Sequence, residues 1–180
     1  ARVLADEAVW HWRHGASDLA ESVAAEAVAA AREGDDLQTL AMARGRQGAV
    51  LTYLGQLDNA RVALREAEAL AESAAPRVRS LAAGWRAQLA SALGDLGERR
   101  DAYRRAVELY TMEGDLRRAA GAEMNLADAS NRVGAYAEAE HALRDALEKC
   151  RRVGYRLMEG YALANLGYAL ARQCEAVEAL

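Results

Sequence analysis

The sequence predicts an all-α chain, a solenoid of antiparallel helix pairs with no single central core. Three observations carry this reading. The composition is 52% hydrophobic, much of it alanine, with no Phe and one Pro in 180 residues, which suits closely packed helices. Amphipathic helical segments are interrupted by glycines. Small residues recur at fixed distances from those interruptions, and a fixed period marks a repeat architecture.

The clearest copy runs from Asn125 to Leu147. Gly134 follows a long periodic segment and supplies the left-handed residue that ends one helix and lets the chain reverse. Ala139, Leu143 and Ala146 follow it on one helical face, and Ala122, Leu126, Ala127 and Ala129 give the preceding helix a matching narrow apolar face. Further copies anchor at Gly15, Gly55, Gly97 and Cys174, in steps of 40, 42, 37 and 40 residues. Five residues after each anchor stand Ala20, Ala60, Ala102, Ala139 and Ala179. Seven before each stand Ala8, Gly48, Ala90, Ala127 and Gly167.

The elements follow in order. Repeat one (about 1–34) has helices over Val3 to His14 and Asp18 to Arg32, with Ser17 as N-cap and Gly34 ending the second. Repeat two (about 35–74) has helices over Leu37 to Leu54 and Asp58 to Ser73. Pro76 then sits where a helix's first turn tolerates it, and repeat three (about 75–114) has helices over Arg77 to Leu96 and Glu98 to Glu113. Gly114 and Asp115 open repeat four (about 115–154). Repeat five (155–180) has a first helix over Leu157 to Gln173 and a second cut off at Leu180. Both ends fall within a repeat with no polar capping face, so the chain reads as a fragment of a larger multidomain protein.

With these residues the chain resembles the tetratricopeptide repeat (TPR) family, whose pattern is a small residue in helix A, glycine at the turn and alanine twice in helix B. The repeat length is similar to the long variety, of about forty residues, in kinesin light chains, Leu-Gly-Asn adaptors and the sensor arms of bacterial signal-transduction ATPases and cyclases. The departures are Cys174 for the turn glycine, Leu109 for the second helix B alanine, and a single boundary proline. The resemblance implies a right-handed superhelical α-solenoid whose helix A faces line a concave groove.

The same resemblance implies where a partner would touch. Nine residues before each anchor stand Asp6, Arg46, Gln88, Asn125 and Asn165. Amides there either bridge the N–H and C=O of an extended peptide or hydrogen-bond within their own repeat. Two residues before the turn, Arg13, Arg132 and Arg172 suit carboxylates and other anions, or pair with local acids. Asp128 lies on the same face, and Trp12, Tyr53, Tyr161 and Tyr168 are the aromatic anchors. Trp10 and Trp85 fall on the packing side. The clamp by which chaperone-binding arrays hold a C-terminal carboxylate needs Lys and Asn where this chain has Ala5 and Val9.

A formal charge of −4 and a pI near 5.5 exclude the electrostatic footprint of a nucleic-acid binder. No run approaches the roughly 18 apolar residues of a membrane span. Cys150 and Cys174 have no metal or redox spacing and read as free thiols of a reducing, cytoplasmic compartment. His11 and His14 lack a third metal ligand, His141 is a surface residue, and phosphate-loop, dinucleotide, zinc-protease and serine-hydrolase motifs are all missing. Acidic side chains are scattered at surface positions rather than paired in an apolar pocket. The expectation is therefore a non-enzymatic, cofactor-free scaffold that binds a peptide or protein segment in its groove, as the regulatory arm of a bacterial signalling or transcription regulator. A small-molecule sensor arm coupled to an effector domain is the alternative, and self-association through uncapped repeat ends is a third reading.

Overall fold

Six glycines, Gly15, Gly55, Gly94, Gly114, Gly134 and Gly154, hold φ between 65° and 79°, and each stops a helix. After each one the next N–H donates to a carbonyl five residues back. The Gln56 N–H reaches the Leu51 carbonyl at 2.9 Å, and the Ala135 N–H reaches that of Ser130 at 2.8 Å. This satisfies carbonyls that the helix end leaves without a partner.

The computed structural model describes residues 1–34 and 36–178. Among them are nine helices and no strand: α1 (Arg2–Arg13), α2 (Ser17–Glu33), α3 (Leu37–Tyr53), α4 (Leu57–Glu72), α5 (Pro76–Leu93), α6 (Leu96–Met112), α7 (Leu116–Arg132), α8 (Tyr136–Arg152) and α9 (Arg156–Glu178). Asp36 and Asp115 cap α3 and α7 by accepting from the Gln38 and Arg118 N–H groups, each at 3.1 Å. Pro76 stands in the first turn of α5.

Three boundaries differ from expectation. Ser17 is the first helical residue rather than the cap; Ala16 occupies the cap position and no side chain caps α2. The turn of repeat three is at Gly94, while Gly97 lies inside α6. With Gly94 as anchor the turns fall at steps of 40, 39 and 40 residues, more regular than the expected register. Cys174 makes no turn, because α9 continues to Glu178, and Ala179 lies outside the described residues.

The described chain divides into two compact units, Ala1–Asp95 and Leu96–Leu180. In the first, α1, α3 and α5 lie side by side, with α2 packed on α1 and α3, and α4 on α3 and α5. In the second, α7 packs on α6, α8 and α9, and α8 also packs on α9. Alanines let the helices approach: Ala20, Ala60 and Ala139, each five residues after its glycine, are fully buried. A Cβ on Gly48 would come within 2.5 Å of Leu64, so α3 and α4 meet backbone to side chain there.

This packing makes a direct prediction. Ala139→Leu should cost about 1–3 kcal/mol by overpacking, whereas Ala137→Leu on the exposed side of α8 should stay within about 0.5 kcal/mol. Urea denaturation followed by circular dichroism checks both. Equal effects would contradict the assigned face of α8.

Trp85 packs half-buried among Leu51, Leu64, Leu89 and Val78. Trp10 does not join a core: it is 54% exposed and stacks on His14 at 4.1 Å. The reason is that no described helix packs on that side of α1.

Candidate functional site

In the first unit the A helices present one stripe each. Arg2, Asp6, Val9 and Arg13 recur along α1, Met42, Arg46, Ala49 and Tyr53 along α3, and Arg77, Leu81, Trp85 and Gln88 along α5, at spacings of three and four. Between them lies a cavity of about 290 Å³, lined by Arg2, Asp6, Thr39, Met42, Arg46 and Arg77 among others. An Nη of Arg46 is 2.6 Å from an Asp6 carboxylate oxygen, joining α1 to α3. Arg2 donates through Nε to the Thr39 hydroxyl at 3.2 Å and lies 3.6 Å from Asp36. Thr39 in turn donates to Asp36, and this bond above all holds the Asp36 carboxyl below its ordinary range. Exposed pairs of this kind stabilise little; their consequence is to fix guanidinium positions at the cavity mouth. Arg77 is exposed and has no acid partner among the described residues.

Further along the same helices, Trp12 and Tyr53 stack on each other with ring centroids 3.9 Å apart and planes 14° from parallel. Trp12 rests on Ala8, Ala20, Val23 and Val50, while Tyr53 stays 46% exposed. The two aromatic anchors expected on separate repeats therefore form one platform. Gln88 shifts with the corrected turn: it stands six residues before Gly94, and Trp85 takes its place nine before. The amide ladder is thus interrupted in repeat three. The Gln88 carbonyl oxygen is buried and accepts no hydrogen bond.

In the second unit Asn125 on α7 and Asn165 on α9 are exposed, with no side-chain partner among the described residues. Asp128 accepts from Arg99 at 2.6 Å and from Arg132 at 3.2 Å, so Arg132 is engaged by a local acid. Arg172 lies 5.9 Å from the Tyr136 ring centroid, and its Nη2 is 3.5 Å from the Tyr136 hydroxyl. Tyr161 and Tyr168 are each 57% exposed on α9. Arg46, Gln88, Trp12 and Tyr53 thus belong to one unit, and Asn125, Asp128, Arg132, Asn165, Arg172, Tyr161 and Tyr168 to the other.

Neither a family model nor a curated protein matches the sequence. Solved structures do. The chain is similar to a signal transduction ATPase with numerous domains from Pyrococcus horikoshii that carries a tetratricopeptide repeat sensor. The TM-score is 0.84 at 13% identity, over 94% of this chain and 26% of that one. It also matches the nearly identical TPR-like repeats of a Podosopora anserina protein named for kinesin light chain, with a TM-score of 0.80 at 15% identity over 99% and 89% of the two chains. A third match is BtubC of P. vanneervenii, with a TM-score of 0.74 at 19% identity over 85% and 65%.

The chain has a tetratricopeptide-repeat fold. It spans about a quarter of the first of these proteins and about two thirds of the third. Within the tetratricopeptide array, sequence reasoning missed Arg77, which lies seventeen residues before Gly94 and so one turn beyond the groove positions considered. Its spacing to Leu81, Trp85 and Gln88 was the available signal. Sequence reasoning also missed a buried charge. Glu123 on α7 is 2% exposed, 2.5 Å from the Lys149 ammonium of α8, with its second carboxylate oxygen buried and unbonded. Burial pushes the Glu123 carboxyl up to about 7 against the opposing pull of Lys149. Cys150 beside Lys149 is fully buried, which raises its thiol, and both cysteines are free. Among the described residues no three metal-ligating side chains gather, and no helix is long and apolar enough to cross a membrane.

Proposed function

We propose that this chain is a non-catalytic interaction scaffold that holds an extended segment of a protein partner along the inner faces of α1, α3 and α5. The observation that supports it most is in the first unit, where the polar cavity at Arg2, Asp6 and Arg46 and the Trp12–Tyr53 platform are carried by the same two helices, α1 and α3. An aromatic platform beside fixed hydrogen-bond donors suits a chain with both side chains and free main-chain groups. The array acts as the regulatory arm of a larger signalling protein, a reading favoured by its likeness to part of an ATPase with a tetratricopeptide sensor.

The test places a photo-crosslinking residue at Met42 in the groove or at Val62, which is 59% exposed on α4. In extract of the source cell, a polypeptide adduct at Met42 and none at Val62 is the expected result. No adduct at Met42, together with a rise in melting temperature on adding the small-molecule fraction of the extract, would replace the scaffold with a ligand-sensing arm. The cavity volume gives that alternative its footing.

A further inference from the structure

A second cavity of the first unit, of about 280 Å³, is lined by α2, α3 and α4. Arg44, Gln47 and Leu51 carry the α3 part of its wall and share one side of that helix by their spacing of three and four. Met42, Arg46 and Ala49 stand on the opposite side, so this cavity is turned away from the groove. Its volume falls just short of the roughly 300 Å³ at which ligand pockets begin, which suits one small molecule.

The polar groups of the lining form a chain with a direction. The Asn59 amide donates to the Gln56 side-chain oxygen at 3.1 Å, and the Gln56 amide donates to Oε2 of Glu21 at 2.7 Å. Both amides are thereby oriented, and the Asn59 oxygen and the second Glu21 oxygen remain as acceptors. Arg44 is the cation of the lining, but it is occupied: its Nε lies 2.7 Å from a Glu66 carboxylate oxygen, and its Nη1 donates to Gln47 at 2.9 Å. Glu21 therefore meets a neutral amide and has no cationic partner among the described residues. The rest of the lining is apolar. Leu51 and Ala63 are buried, and Val62 is 59% exposed.

We infer that this cavity is a second binding site, which takes a small primary alkylamine as its ammonium ion. The N–H groups donate to Glu21 and Asn59, and the alkyl chain lies on Leu51, Val62 and Ala63. A charged head at the edge of apolar surface, with its stem laid along that surface, is the way lysine side chains settle on proteins. An ammonium fits better than a guanidinium, because one Glu21 oxygen is already taken and the carboxylate cannot offer both to a planar fork. A quaternary ammonium has no N–H to donate. A lysine of a partner protein carries the same chemistry, and the crosslinking residue at Val62 separates the two sources.

The experiment follows the side-chain amide signals of Gln47 and Asn59 in the nitrogen–proton NMR spectrum of the full chain as pentylamine is added at neutral pH. Both signals should shift and saturate with a dissociation constant of roughly 1 mM. Pentanol and pentyltrimethylammonium should bind about fivefold more weakly, and pentylguanidine no more tightly than the amine. Glu21→Gln keeps the bond from Gln56 and should weaken pentylamine about fivefold, whereas Glu26→Gln, outside the lining, should leave it within about twofold. No saturable shift, or pentylamine bound as well by the Glu21→Gln chain, would overturn the site. Equal binding of pentanol or pentyltrimethylammonium, or tighter binding of pentylguanidine, would overturn the choice of a primary ammonium. A polypeptide adduct at Val62 in extract that Glu21→Gln removes would also overturn the free amine, since the cavity would then hold a partner's lysine.

Discussion

Lys149→Met is expected to destabilise the chain by about 3 kcal/mol at pH 8 and by about 1 kcal/mol or less at pH 5. The asymmetry comes from Glu123. Its carboxylate is 2% exposed, and Lys149 is the cation that holds it, at 2.5 Å. Removing the ammonium at pH 8 leaves a buried charge with no compensation, whereas at pH 5 the carboxyl is protonated and loses one hydrogen bond. The wild-type chain should show the same chemistry more weakly. A carboxyl raised from 4.5 to about 7 on folding binds a proton that the unfolded chain has released. Its contribution is therefore complete below pH 4.5 and lost as pH climbs through 7, a fall of about 3 kcal/mol. Glu123→Gln should flatten that slope. The probe matters, because Trp10, Trp12 and Trp85 all lie in the first unit and Glu123 and Lys149 in the second. Far-ultraviolet circular dichroism at pH 5 and pH 8 reads the loss; tryptophan emission reports the other unit. A Lys149→Met effect independent of pH would show that the pair is not electrostatically coupled.

Glu123 also shows where a sequence stops being legible. In α7 the buried set runs almost around the helix, through Ala119, Ala120, Ala122, Met124, Leu126, Ala127 and Ala129, because α6, α8 and α9 all pack on it. A lone glutamate in such a segment reads as surface by residue type, and its partner stands 26 residues away on the next helix. The repeat itself was readable wherever one glycine stood alone. Around Gly134 the expected Ala139, Leu143 and Ala146 are all fully buried. In Leu93-Gly94-Asp95-Leu96-Gly97 two glycines compete, and the alanines at 90 and 102 favoured the second. The structure takes the first, which repeats the Leu-Gly-x-Leu of residues 54–57 and puts Arg99 where the other repeats have alanine. Arg99 is accommodated because its head reaches Asp128 at 2.6 Å. Abundant alanine made the wrong register look regular. Positions counted back from Gly15 and Gly55 along α1 and α3 keep the expected register, since those turns leave no such choice. What pairing does to each of them depends on neighbours 30 to 40 residues distant, beyond the reach of a local period.

The second large effect belongs to Gly45. A Cβ built there would lie 1.8 Å from Cζ3 and 2.1 Å from Cε3 of Trp85, so α3 and α5 meet by an indole laid on bare backbone. The ring is rigid and is packed against Leu51, Leu64 and Leu89, which leaves it no short path away. Gly45→Ala should therefore destabilise the first unit by about 2–3 kcal/mol, even though alanine favours a helix interior by about 1 kcal/mol over glycine. Two neighbours calibrate it. Gly48→Ala meets Leu64 at 2.5 Å, but that side chain has other rotamers, so the loss should be smaller, near 1 kcal/mol. Gly121→Ala in α7 meets nothing within 4 Å and should stabilise by about 0.5–1 kcal/mol. Combining Gly45→Ala with Trp85→Leu removes the clash together with the ring, and the pair should cost about 1–2 kcal/mol less than the sum of the single changes. Chemical denaturation of the five variants gives the order, and the tryptophan emission maximum of Gly45→Ala should shift to the red as Trp85 is pushed toward water. If Gly45→Ala were as stable as Gly121→Ala, the close contact between α3 and α5 could not be what positions Arg77 beside Arg46, and the shared cavity would lose its structural basis.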